Sequence, residues 1–280
     1  MRRSEMRTSQ IMRQPKSSRS NLLSAAAALI ASMVAGTSLI GAQIPSPSSP
    51  APAPPPPRVV VVLDPAHGGP DSGARLGEQL LEKDVTLAIA ARLRASLAAA
   101  GFSVVSTREA DSLTPLSTDQ RAEIANRTRA ITCIVIHATA TGTGVHLYAS
   151  PLQPKEPPAA GEPSPKYRPP FEPTPWETAQ AEAIPQSLQL LADLSAALKT
   201  TDIPVVTGRA PLRPLDNMIC PAVAVELAPL IVPGTDPTPV TDPAYQQRVA
   251  DTLARGLQYW RSQLPPPPPR LPPAATGVNP

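Results

Sequence analysis

The chain has 280 residues, of which 40 are proline, with aromatics at only 3% and a formal net charge of +3. That length holds one large domain or two small ones, and its core must be built from Val, Ile, Leu and Ala. Residues 1–42 carry six basic side chains and one acidic, and residues 43–280 carry 19 and 21. The folded part therefore offers no basic face, which excludes nucleic acid as a partner.

The first element is an export segment. Arg2, Arg3, Arg7, Arg13, Lys16 and Arg19 precede an apolar run from Leu22 to about Ile44. Positive charge ahead of an apolar stretch directs the rest of the chain across a membrane. Two outcomes stay open. Cleavage near Ile40-Gly41-Ala42 would leave a soluble periplasmic or exported protein, while ~20 uncleaved apolar residues would anchor it to the inner membrane. Proline then divides the chain: eight lie in 45–57, ten in 151–175 and seven in 265–273. Such runs cannot keep a hydrogen-bonded helix or central strand. They read as a linker (45–57), an insert (151–175) and a tail (265–280), leaving one domain over 58–264.

Within that domain Val59–Leu63 is continuously apolar, as in a strand buried on both faces of a parallel sheet. From Glu82 the pattern changes to Val85, Ile89, Leu93 and Leu97, an amphipathic helix that Gly101 stops. Phe102–Thr107 is a second strand, Thr118–Ala130 a helix, Ile131–Ile136 a third strand and Val145–Ala149 a fourth, after a tight turn at Thr141–Gly144. Beyond the insert, Thr178 can cap a helix with an apolar face of Leu188, Leu191, Leu194 and Leu198, kinked or delayed by Pro185. Ile203–Thr207 is a strand that Pro204 pushes toward a sheet edge, and Ala222–Leu227 is another. Asp242-Pro243 caps and opens a last helix through Tyr245, Val249, Leu253, Leu257 and Trp260. Alternating strands and helices predict an α/β domain with a largely parallel twisted sheet flanked by helices.

The chemistry-bearing residues fall at strand ends. His67 comes just after the first strand, Glu82 opens the next helix, His137 ends the third strand and Glu226 lies near the end of the strand Ala222–Leu227. In open α/β sheets, ligand groups gather outside the carboxyl ends of the strands. Two imidazoles and a carboxylate suit zinc with one open position, and a spare carboxylate suits a general base. Spacing alone leaves this open, since no compact zinc motif such as His-Glu-x-x-His is present. Asp64 is a candidate to orient His67, and His146 is read as an exposed strand histidine near the groove rather than a fourth ligand. Arg108 and Arg121 read as structural ion-pairing groups, and Arg209 and Arg213 as surface charge or holders of a substrate carboxylate. Cys133 and Cys220 are too few for a disulfide scaffold or a thiolate zinc site. They are either two small buried residues or one disulfide, which an oxidising compartment permits.

Several stretches resemble one family. Val61-Val62-Leu63-Asp64-Pro65-Ala66-His67-Gly68-Gly69-Pro70-Asp71-Ser72-Gly73-Ala74 looks like the opening motif of the zinc-dependent N-acetylmuramoyl-L-alanine amidases of bacterial cell-wall remodelling. Glu82–Ala90 looks like their metal-binding helix start, Ile134–Ala138 their second histidine motif and Pro221–Leu227 their catalytic-glutamate segment. Ser106-Thr107-Arg108 and Arg121 also fall in place. The resemblance covers most of 58–264 in order and leaves 151–175 unmatched. Thr139 stands where the family usually has Asn, Ala66 often where it has Gly, and Ala228-Pro229 where it has Gly-Phe.

The resemblance implies Zn²⁺ on His67, Glu82 and His137, with Glu226 as the catalytic base. The implied reaction is hydrolysis of the amide between N-acetylmuramic acid and L-alanine in peptidoglycan. In members whose insert covers the site, it also implies a protein activator. Two other readings stay open on sequence alone: a non-catalytic peptidoglycan-binding protein on the same fold, and a zinc peptidase acting on the stem peptide.

Overall fold

The computed structural model describes residues 59–154 and 176–265. The export segment, the linker, nearly all of the insert and nearly all of the tail lie outside those residues. Among the described residues no helix is long and apolar enough to cross a membrane.

Six strands form one sheet: β1 (Val60–Pro65), β2 (Ser103–Ser106), β3 (Thr132–Ala138), β4 (Val145–Ala149), β5 (Val205–Arg209) and β6 (Ala222–Leu227), in the order β2-β1-β3-β6-β4-β5. The pairings β1–β2, β1–β3, β3–β6 and β4–β5 are parallel, and β4 runs antiparallel to β6. The sheet is thus largely parallel, as expected, with its last two strands reversed. β5 is an edge strand, and it begins one residue past Pro204, whose missing N–H cannot enter the ladder.

Alternation along the strands separates the two faces of the sheet. Val61, Leu63, Ile134, Ile136, Val145, Leu147, Val223 and Val225 share the larger core with three helices: α1 (Glu82–Ala99), α3 (Ile184–Lys199) and α4 (Pro243–Gln263). Val62, Cys133, Val135, Ala222 and Ala224 face the other side, under α2 (Thr118–Thr128) and the short 3₁₀ turn Leu215–Asn217. Because both faces are covered, the central strands read as nearly unbroken apolar runs.

The helix signals mostly hold. Val85, Ile89, Leu93 and Leu97 of α1 are buried, and Gly101 just beyond its end takes φ +83°. Asp242 caps α4 by accepting from the Tyr245 N–H at 2.7 Å. Two details differ. The helix α2 starts at Thr118 as expected, capped by Ser117 in a reciprocal box with Gln120, but ends at Thr128, short of the expected Ala130. In α3, Pro185 delays the start, so Trp176–Glu182 is a 3₁₀ helix ahead of it. The buried face of α3 then runs through Ile184, Ser187, Leu190, Leu194 and Leu198, with Leu188 and Leu191 only half-buried.

The cysteines take the disulfide reading. Cys133 on β3 is bonded to Cys220, which leads into the neighbouring β6, with Cα atoms 6.0 Å apart and 87 positions between them in sequence. Closing so long a loop removes entropy from the unfolded chain. The double variant Cys133→Ala with Cys220→Ala is expected to lose about 2–5 kcal/mol in denaturant unfolding. An unchanged midpoint would show that the cross-link does not hold the two strands.

Candidate metal centre

His67 sits on a short loop at the carboxyl end of β1, and its backbone is unusual. Its φ is +64°, and Gly68 and Gly69 come next at +133° and +60°. A non-glycine residue there is strained and persists only where its surroundings hold it. Two guanidinium groups supply that hold. Arg108 donates through Nε to the Pro65 carbonyl (2.9 Å) and through Nη2 to Ala66 (2.9 Å) and Lys83 (2.7 Å). Arg121, itself 4% exposed, donates through Nη1 to Pro65 (2.8 Å) and through Nη2 to the His67 carbonyl (2.6 Å). Both arginines are structural, as the sequence suggests, but their targets are mainly carbonyls.

Asp64 does not orient His67. Odd and even residues of β1 face opposite ways, and Asp64 faces α2. There, fully buried, it accepts from Arg121 Nη1 at 2.8 Å and from the Thr107 hydroxyl. The residue that orients His67 is Asp71, whose two oxygens lie 2.9 and 3.0 Å from His67 Nδ1. The loop doubles back to bring Asp71 there, and Gly73 makes that possible. Gly73 has φ +65°, and a Cβ on it would lie 2.5 Å from the His67 ring and 2.7 Å from Glu82 Oε2.

Glu82 begins α1, where the helix dipole favours an acidic side chain. Its carboxylate is 5% exposed and is shared by both histidines. Oε2 lies 3.2 Å from His67 Nε2 and Oε1 lies 2.9 Å from His137 Nδ1. Backbone N–H groups of Ala74 (2.9 Å) and Ala138 (3.2 Å) donate to it as well. Burial pushes the Glu82 carboxyl up, but hydrogen bonds from His137, His67 and Ala74 outweigh that and hold it well below the usual carboxylate range. The hydrogen bond to Glu82 raises His67 above its ordinary value, against burial, with Asp71 adding to the shift.

His137 and Glu226 come from adjacent parallel strands in direct register. They share the face that carries Cys133, Val135, Ala222 and Ala224, so their Cα atoms are about 5 Å apart. His146 departs from expectation. Its side chain is 13% exposed, and Nδ1 lies 2.8 Å from Glu226 Oε2. Its register partner across the antiparallel β4–β6 pair is Glu226 itself. A signal exists in the sequence, since His146 is the second residue of β4, but it speaks only once the reversal of β4 is known. Arg209 is spent on the carbonyls of Ser150 (2.9 Å) and Leu152.

His67, Glu82 and His137 could hold a metal ion, since one ligand atom from each lies within 4.8 Å of the others. The donor set fits that use. Both ring nitrogens of His67 face carboxylates, Nδ1 that of Asp71 and Nε2 that of Glu82, which favours positive charge there, from a proton or a cation. His137 Nε2 is buried and has no hydrogen-bond partner among the described residues. Residues 61–259 match the family model for N-acetylmuramoyl-L-alanine amidase. The chain belongs to that amidase family.

Relatives agree. The germination-specific N-acetylmuramoyl-L-alanine amidase of Bacillus subtilis is 43% identical over 93 residues, covering 29% of this chain and 39% of that protein. The N-acetylmuramoyl-L-alanine amidase AmiC of Neisseria meningitidis is 40% identical over 96 residues, covering 32% and 23%. The chain thus spans well under half of these relatives' lengths. The solved structure of amidase AmiC2 of Nostoc punctiforme superposes with a TM-score of 0.52 at 25% identity, covering 73% of this chain and 98% of that one. Ami1 of Mycobacterium smegmatis, at 20% identity and a TM-score of 0.51, shares the fold over 74% of this chain.

Proposed function

We propose that this chain is an exported zinc amidase that hydrolyses the amide between the lactyl group of N-acetylmuramic acid and L-alanine in peptidoglycan. The observation that carries the reading is the convergence of His67, Glu82 and His137, with Glu226 in register beside His137, in a chain of this family.

In this reading His67, Glu82 and His137 hold the zinc. When bound, the ion supplies Lewis acidity toward the amide carbonyl and acidifies water. The protein's own groups do the rest. Asp71 accepts the Nδ1 proton of His67, which fixes the tautomer and leaves Nε2 to face the cluster. Glu226 accepts the proton of the attacking water and returns it to the nitrogen that leaves as the free amine of alanine. Arg108 and Arg121 keep the His67 loop in its strained shape.

Export rests on the charged and apolar N-terminal segment, and the Cys133–Cys220 disulfide supports it, because such bonds persist in oxidising compartments. Removal of the metal tests the reading. Chelator-treated protein is expected to lose hydrolysis of purified peptidoglycan sacculi, and added zinc to restore it. His137→Ala is expected to fold yet bind less than one zinc per chain by elemental analysis. Full activity in the stripped protein would refute the zinc reading.

A further inference from the structure

The cluster explains His67, Glu82 and His137, but it gives no work to His146. We infer that His146 is a positioning residue for Glu226, holding one carboxylate oxygen so that the other meets the attacking water. The inference rests on Glu226 being the general base.

The geometry comes from the sheet order. β6 lies between β3 and β4, so Glu226 is flanked by His137 in parallel register on one side and His146 in antiparallel register on the other. Directly opposed residues of an antiparallel pair project from the same face and reach each other. His146 Nδ1, when protonated, donates to Glu226 Oε2 at 2.8 Å. That engagement leaves Oε1 as the acceptor.

The ring is built in rather than merely near. The turn before β4 closes over it, for a Cβ on Gly142 would lie 2.7 Å from His146 Cε1 and 2.9 Å from Nε2. Gly142 takes φ +81°, a conformation that glycine adopts without strain. The edge of the ring meets Tyr148, with centroids 6.5 Å apart and planes at 80°. The Glu226 side chain is 29% exposed, and the residue is the last but one of β6. A glutamate there has a soft terminal torsion and would sample many orientations. A general base must point at its water, and an unheld carboxylate spends most of its time turned elsewhere.

The test separates the donor from the ring. In asparagine the side-chain nitrogen is bonded to Cγ, as Nδ1 is in histidine, so His146→Asn keeps a donor at that place. His146→Leu keeps bulk and removes it, and His146→Val replaces the leucine variant if that one does not fold. Kinetics on a soluble muramoyl peptide, zinc per chain and melting temperature are read for each. His146→Leu is expected to lose about 10–100-fold in kcat with KM, zinc content and Tm unchanged, as for other hydrogen-bonding partners behind reactive groups. His146→Asn should recover most of it, and His146→Leu should cost nothing further in a Glu226→Gln background.

Equal impairment of the Asn and Leu variants would overturn the inference, because the ring and not the donor would matter. A rise in KM alone would make His146 a substrate contact, and loss of zinc would make it a ligand. If Glu226→Gln is inactive while His146→Leu is fully active, only this inference falls. If Glu226→Gln is active, the general-base reading falls instead.

Discussion

Glu226→Gln is expected to lose about 10²–10⁴ in the rate of peptidoglycan hydrolysis while keeping its zinc and its melting temperature. The amide has the shape of the carboxylate and still accepts a hydrogen bond from His146 Nδ1, so the local packing on β4 and β6 should persist. What it lacks is basicity: a neutral amide cannot take a proton from water. The three residues of the metal cluster are not altered, since Glu226 lies outside the group whose ligand atoms converge. Steady-state kinetics with elemental analysis of the same preparation check this. Loss of zinc in the variant would make Glu226 a ligand and require a different base.

Arg121→Met is expected to destabilise the fold by about 3–5 kcal/mol, the usual cost of breaking a buried ion pair from one side. Asp64 is 0% exposed and would be left buried without its guanidinium partner. The carbonyls of Pro65 and His67 would lose donors in the same step. Because those carbonyls belong to the strained loop, the variant should also take up zinc more weakly than the parent chain. The second change Asp64→Leu should restore part of the stability by removing the buried carboxyl left without its partner, though not the loop's donors. Denaturant midpoints for the three proteins measure this. A shift below about 1 kcal/mol for Arg121→Met would show that the pair is a surface-like contact of little weight.

The sheet is legible in the sequence because its strands obey simple rules. Val59–Leu63 is an unbroken apolar run and Ile131–Ile136 is interrupted only by Thr132, and the helix layers on both faces explain why no polar alternation appears in them. Val85, Ile89, Leu93 and Leu97 keep a helical period because α1 has a single side to bury. The reversal of β4 is not legible. A turn of Thr141–Gly144 between two strands says nothing about which strand will later be inserted between them, and β6 arrives more than 70 positions after that turn. The role of His146 depends on that insertion, so sequence alone gives only an exposed histidine.

Asp64 misleads for a related reason. Its closeness to His67 in sequence suggests contact, whereas strand alternation turns it to α2 and leaves the task to Asp71 across a doubled-back loop. The α3 face slips because the leucines of 188–198 fit more than one helical stripe, and only packing into the core shared with the sheet and α4 selects Leu190. The cysteines cannot be paired from sequence, since the pairing depends on β3 and β6 being neighbours.

The most direct measurement is mass spectrometry of the fragments that the purified, zinc-loaded chain releases from sacculi. Hydrolysis at the lactyl amide predicts free stem peptides beginning with an unblocked L-alanine, with glycan strands keeping intact lactyl groups. Fragments cut within the stem, with alanine still joined to muramic acid, would contradict it.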